Sequence, residues 1–192
     1  EGTNAYTSTD MTVYVEDIPS NQIENWARIE ADRFMHPVIR GFHTELETVY
    51  EEKNMSLTND FRKSLEAMDG ILFADHPYGT QTVLGTQEHL KNPSVTNIKN
   101  YHKTYYVPNN MAICLSGDFD PDEMLSIIEK YFGQMEPNTE LPEVDFETKT
   151  VIESPVSKEV YGLDAENIMI GWKYPGAGTQ EALVADVVSY IL

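Results

Sequence analysis

Basic residues are scarce in this sequence: 13 Lys and Arg stand against 32 Asp and Glu, a formal charge of −19 with histidine neutral. A phosphate backbone is gripped by clustered cations, so a nucleic-acid binder is excluded. The single cysteine, Cys114, rules out an internal disulfide and a cysteine-based zinc cluster, and leaves the redox compartment open. No apolar run approaches the roughly 20 residues of a membrane span. The opening residues have neither the basic segment nor the apolar core of a signal peptide. Low-complexity tracts and short-period repeats are missing as well. What remains is enough to fold, because 41% of the 192 residues are hydrophobic and 10% aromatic. The length fits one ordinary domain, or one domain with part of another.

Both termini read as internal positions of a longer polypeptide. The chain opens at Glu1 without Met and enters strand-like alternation at once. At the other end Ala182, Leu183, Val187, Val188, Ile191 and Leu192 form a helical face that stops while still apolar, with no Gly, Asn or base to finish it. A fragment is therefore expected, with apolar surface at its ends that favours self-association.

Period-two alternation from Thr7 to Glu16 predicts a strand. After Pro19, Ser20 can cap a helix through Ile23, Trp26, Ala27, Glu30 and Phe34, and His36-Pro37 breaks it. Longer helical faces follow on Val38, Phe42, Leu46 and Val49, then on Phe61, Leu65, Met68 and Leu72, with Gly41 and the Asn54 to Asn59 stretch as interruptions. His76 to Gly85 reads as a loop. A short helix carries Ile98, Tyr101 and Tyr105 up to Pro108, and Met111 to Leu115 reads as a strand. Asp120-Pro121-Asp122-Glu123 is a helix start with an Asp cap and Pro at the first helical position. Met124, Leu125, Ile127, Ile128, Tyr131 and Phe132 form its buried face, and Gly133 ends it. Glu136 to Glu147 holds five acids, two prolines and no base, which predicts a solvated linker. Beyond it come a strand from Ile168 to Tyr174, a turn over Pro175 to Gly178 and a helix from Thr179. The order suits an α+β fold with helices on one face of a largely antiparallel sheet.

The stretch from His43 to Asn54 holds the candidate chemistry. Six residues separate Glu45 from Glu52, two helical turns, so the carboxylates share a face with Val49. Two acids beside apolar residues on a partly buried helix can bind a metal or move a proton; the alternative is a solvated acidic face. His43 and Glu47 are four apart and could meet one metal, but no His-Glu-x-x-His or His-x-x-Glu-His string is present. His36 and His76 read as turn residues before proline, His89 as exposed, and His102 as a packing residue among tyrosines. No Gly-x-Ser-x-Gly elbow supports a serine triad. Asp118 and Asp120 could suggest a cation, but helix capping explains Asp120.

Four strings in order then carry a family likeness. They are Gly2-Thr-Asn4-Ala5-Tyr6-Thr7-Ser8 with Thr12 and Tyr14; Glu45-Leu-Glu-Thr-Val49-Tyr-Glu51-Glu52; His76-Pro77-Tyr78-Gly79 with Gly85; and Tyr105-Tyr106-Val107-Pro108-Asn109-Asn110-Met111 leading to Ser116-Gly117-Asp118. Over most of residues 2 to 133 the chain resembles the pitrilysin/insulinase family of zinc metallopeptidases, the inverzincins. In that family a His-x-x-Glu-His helix, just before the Asn-Ala-x-Thr strand, supplies two zinc ligands and the catalytic glutamate. The motif is absent here, so the fragment is expected to begin after it.

The resemblance implies that Glu52 is the third zinc ligand and that Glu45 is the supporting glutamate, orienting a ligand and tuning charge. Bound zinc would lower the pKa of its water to about 7, and the upstream glutamate would take the proton as hydroxide attacks a peptide carbonyl. Asn4, Ala5, Tyr6 and Thr7 correspond to the edge strand that receives substrate by strand addition. A closed chamber of repeated α+β domains would favour unfolded peptides, and the acidic surface would steer cationic ones. By the same likeness residues 1–136 form most of a first metallopeptidase-like domain, 137–157 the linker and 158–192 the start of a second, non-catalytic one. Zinc is expected in the intact protein and not in this piece, whose partners would be peptide substrate and the remaining domains of the polypeptide. The rival reading is a non-peptidase relative that binds peptide or a partner subunit, and the residues upstream of Glu1 would decide between them. The compartment stays open, bacterial periplasm and cytoplasm alike.

Overall fold

The computed structural model describes residues 2–143 and 147–191. Glu1, Asp145 of the expected linker and Leu192 of the expected last apolar face lie outside the described residues. The chain forms two compact units, one of residues 2–50 and 86–143, the other of residues 51–85 and 147–191.

In the first unit the opening element is a hairpin and not the single strand expected over Thr7 to Glu16. Strand β1 (Gly2–Thr7) runs antiparallel to β2 (Thr12–Asp17), with Gly2 opposite Asp17 and Thr7 opposite Thr12. Ser8 makes the reversal: its hydroxyl accepts the N–H groups of Asp10 at 3.3 Å and Met11 at 3.2 Å, while its own N–H donates to the Met11 carbonyl at 2.8 Å. A serine that bonds its own turn occupies a polar slot in the alternation, so the period of two runs through the bend unbroken.

Helix α1 (Ile23–Met35) follows a short 3₁₀ turn at Ser20–Gln22, and His36 closes it. Ser20 therefore lies in the turn before the helix instead of capping it. Helix α1 packs against a later helix, Pro121–Phe132, numbered α7 below. The Trp26 ring lies 5.9 Å from that of Phe132, and Glu24 accepts from Lys130 Nζ at 2.6 Å and Tyr131 O–H at 3.0 Å. The best-buried apolar side chains of the unit are Ala27 and Ala31, 0% and 1% exposed, with Met124 of α7 and Val107.

Helix α2 (Phe42–Ser56) begins in this unit and ends in the other. Helices α3 (Asp60–Leu72) and α4 (Pro77–Thr80) belong to the second unit; α5 (Gln87–Lys91), α6 (Val95–Tyr105) and α7 (Pro121–Phe132) belong to the first. Each start is fixed by a side chain that accepts backbone N–H groups: Asn59, His76, Thr86, Ser94 and Asp120, respectively. Of the expected apolar face of α7, Leu125 is 65% exposed. It sits at the edge of an arc wider than one neighbouring helix covers.

The strands expected at Met111 to Leu115 and Ile168 to Tyr174 do not form among the described residues. Met111 is extended, but a strand needs a ladder partner, and apolar pattern alone does not supply one. Trp172 is accordingly 62% exposed. The acidic linker carries no helix or strand over residues 136–143, yet Asn138 ties it down. Asn138 N–H donates to Asn109 Oδ1 at 3.0 Å, and Asn109 Nδ2 donates back to the Asn138 carbonyl at 2.8 Å. Helix α8 (Gln180–Ser189), capped by Thr179, completes the second unit. The fold is thus α+β, helices with a small antiparallel sheet.

With Ala27 fully enclosed, Ala27→Leu should lower the unfolding free energy by about 1–3 kcal/mol through overpacking. Urea denaturation reads this as an earlier midpoint at unchanged slope. A midpoint equal to the parent's would show that α1 has room beside it.

Candidate functional site

Helix α2 is continuous from Phe42 to Ser56. Gly41 starts it from a left-handed backbone (φ +61°), and its carbonyl accepts the Glu45 N–H at 2.9 Å. Leu46, Val49 and Tyr50 are half-buried, whereas Glu45 and Glu52 are both exposed. The helix is thus partly buried as expected, with both carboxylates exposed. Glu45 also lies in the first turn, where the helix dipole favours an acid. His43 and Glu47 are exposed too.

Asn4, Ala5, Tyr6 and Thr7 all lie on β1, in a two-stranded sheet. Ser8 and Met11 share a ladder bond, so by antiparallel alternation Thr3, Ala5 and Thr7 turn their backbone groups away from β2. On that edge the Ala5 N–H already donates to Asn4 Oδ1 at 2.9 Å. A depression of about 320 Å³ at this end of the hairpin is lined by Gly2, Thr3, Asn4, Val15 and Asp17.

Behind the hairpin, the first unit joins two of the strings that carry the family likeness. Tyr14 O–H donates to Tyr106 Oη at 3.5 Å, and Phe34 packs on both rings at 5.3 and 6.2 Å. Arg33 lies over Tyr14 and Phe34, paired with Glu30 and, at 3.9 Å, with Glu16. Burial, aided by the Tyr106 bond, pushes the Tyr14 hydroxyl up to about 12, and burial also raises the Glu30 carboxyl. His102 stacks on Tyr106 at 4.4 Å, and its burial lowers its pKa, in keeping with a packing role. His36 is exposed against Asp32, and His89 is exposed.

The second unit holds residues that the sequence does not single out. Asp60, at the start of α3, accepts the Leu163 N–H at 2.5 Å, the Asp164 N–H at 2.9 Å and Lys63 Nζ at 2.6 Å. Asp75, just past α3, accepts the Lys149 N–H at 2.6 Å, the Thr150 N–H at 3.1 Å and the hydroxyls of Thr148 and Thr150. The two ends of α3 thus each hold a stretch of the C-terminal segment by a carboxylate. The Lys63 bond, with the Asp164 and Leu163 N–H groups, lowers Asp60 to about 2; the Thr150 hydroxyl leads in holding Asp75 far below the usual carboxylate range. Both are aspartates among 32 acids, and their distant partners leave no local signature. His76, expected as a turn residue, is buried and caps α4 through Nδ1 at 3.1 Å from the Tyr78 nitrogen.

A zinc ion of the catalytic kind takes three protein ligands. Glu52 fits one place in such a set, being an accessible carboxylate. Among the described residues no three of His, Cys, Asp and Glu come together to hold an ion. No helix among them is long and apolar enough to cross a membrane.

Solved structures share this fold: a protease from Helicobacter pylori superposes with a TM-score of 0.70 at 21% identity, over 77% of this chain and 37% of that one. The family described as the peptidase M16 inactive domain matches residues 94–192, and the chain belongs to the peptidase M16 family, the pitrilysin/insulinase family it resembles in sequence. A probable mitochondrial-processing peptidase subunit beta of Schizosaccharomyces pombe is 28% identical over 71% of this chain and 30% of its own length. An uncharacterized zinc protease of Mycobacterium leprae is 29% identical over 68% of this chain and 29% of its own length. The chain thus spans less than a third of the length of these two relatives.

The Asp60 contacts set a pH dependence. Its carboxyl is lowered from 3.8 to about 2 on folding, so its contribution is complete above the unfolded value and is lost as pH falls through the folded one. In acid titrations Asp60→Asn should flatten the stability decline between pH 4 and 2. Identical acid profiles for parent and variant would contradict the assignment.

Proposed function

We propose that the complete protein is a zinc-dependent endopeptidase of unfolded peptides, in which Glu52 supplies one metal ligand, Glu45 supports the ligand set and Asn4 to Thr7 receive the substrate strand. The observation that carries this reading is α2 itself: in a chain of this family, one unbroken helix bears both glutamates with their side chains open. An exposed carboxylate is free to take a metal, and an edge strand with outward backbone groups is free to pair with an extended peptide. Division into a first domain to residue 136, a linker to 157 and a non-catalytic second domain belongs to the same proposal.

The rival is a relative that binds peptide or a partner subunit without cleaving it. One experiment separates the two. With a quenched fluorogenic peptide and the complete protein, both chelation and Glu52→Gln should abolish hydrolysis. Activity that survives both defeats the peptidase reading. The 192-residue chain alone should show no chelator-sensitive cleavage, since no three donors come together among its described residues; measurable cleavage by the purified chain would contradict this.

A further inference from the structure

Strand β1 belongs to a hairpin that does not stand by itself. Among the described residues the sheet has two strands, and a two-stranded hairpin alone is at best marginally stable in water. Its orientation is therefore set by what packs behind β2. Tyr14 of β2 meets the Phe34 ring at 5.3 Å and the Tyr106 ring at 6.5 Å. Arg33 of α1 is the charged part of this support. Its guanidinium carbon lies 4.7 Å from the Tyr14 ring centre and 5.1 Å from that of Phe34. Arg33 Nη2 lies 3.9 Å from Glu16 Oε1 of β2 and pairs with Glu30 on the preceding turn of α1.

Without this cation the arrangement would repel. The Glu30 and Glu16 side chains are only 8% and 17% exposed, and a carboxylate withdrawn from water is costly unless it is paired. Burial raises the Glu30 carboxyl, Arg33 opposes this and the Glu16 charge adds to it, so the two acids face each other between α1 and β2. Arg33 turns that repulsion into a clamp.

The register carries the clamp to the edge. Tyr14 stands opposite Ala5 and Glu16 opposite Thr3. Both are non-hydrogen-bonded pairs, the closest kind in an antiparallel ladder, and Thr3 and Ala5 turn their backbone groups outward. The β2 residues that Arg33 holds are thus the direct neighbours of the edge positions of β1.

We propose that Arg33 is a positioning residue for a bound peptide: it seats the hairpin on α1, so that Thr3, Ala5 and Thr7 present their outward N–H and C=O groups as a preformed edge for an extended chain. The inference rests on the reading of β1 as the strand that receives substrate. A preformed edge spares binding the cost of ordering the hairpin. With the clamp removed and the hairpin seated about one tenth of the time, the apparent Kd rises about tenfold.

The test uses the complete protein and a fluorescein-labelled peptide of alternating valine and lysine. Its Kd is read by fluorescence anisotropy with chelator present to stop cleavage, at a temperature where circular dichroism shows every variant folded. Arg33→Met should raise the Kd about tenfold. That variant is more acidic than the parent, so a general attraction for cationic peptides would move the Kd in the opposite direction. A merely structural arginine would lower the thermal midpoint and leave the Kd at the parental value; that result for Arg33→Met overturns the proposal. Should Arg33→Met not fold, Glu16→Gln, which removes the strand side of the ion pair, decides by the same two outcomes. The same peptide methylated at every backbone nitrogen has no donor for an edge and separates the two layers. Equal Kd values of the parent for methylated and unmethylated peptide remove the strand-addition reading and the inference with it. Preference for the unmethylated peptide beside a parental Kd in Arg33→Met removes the inference alone.

Discussion

With 32 carboxylates and 13 cationic side chains, most acids in this chain have no cation to meet. An ionised carboxylate near the protein surface still favours directed donors over bulk solvent when it orders a segment, and the backbone N–H is the donor in greatest supply. Asp120 takes two such groups at the start of α7, and Asp60 and Asp75 each take two from the C-terminal segment. The uncharged acceptors Asn59, Ser94, Thr86 and Thr179 do the same at other helix starts. The excess of acid is thus also what ties loops and helix ends together.

Local sequence rules captured what local physics decides. Asp120-Pro121 at a helix start, His36-Pro37 at a helix end and Gly133 after Phe132 each act through their own backbone geometry, and each is found where the sequence puts it. Elements that need a distant partner were less legible. Met111 to Leu115 and Ile168 to Tyr174 have strand-like patterns, yet among the described residues the sheet has two strands. The β1–β2 reversal was hidden because Ser8 fits both an alternating strand and a turn. Asp60 and Asp75 were illegible for a different reason, since their partners lie about a hundred and about seventy-five residues away in sequence.

The candidate site divides along the same line. Spacing places Glu45 and Glu52 on one helix, whereas Asn4 to Thr7 were expected only through the family resemblance. The burial of Lys53 was not legible, because a lysine in a run of Glu51-Glu52-Lys53 reads as part of a solvated face. Only Glu66 and Thr82, brought from α3 and the following loop, make an inward direction favourable. In the hairpin unit Arg33 plays a comparable part, its guanidinium spread over Tyr14 and Phe34 and paired with Glu30. A planar cation can lie flat on rings where a compact ammonium would be stranded.

The two tryptophans fall one in each unit. Trp26 is half-buried against Phe132, and Trp172 stands 62% open to water. Indole emission shifts with polarity and responds to quenchers according to access, so the blue side of the spectrum belongs to the hairpin unit and the iodide-quenchable red side to the other. The chain carries, without labelling, a separate optical gauge for the integrity of each half.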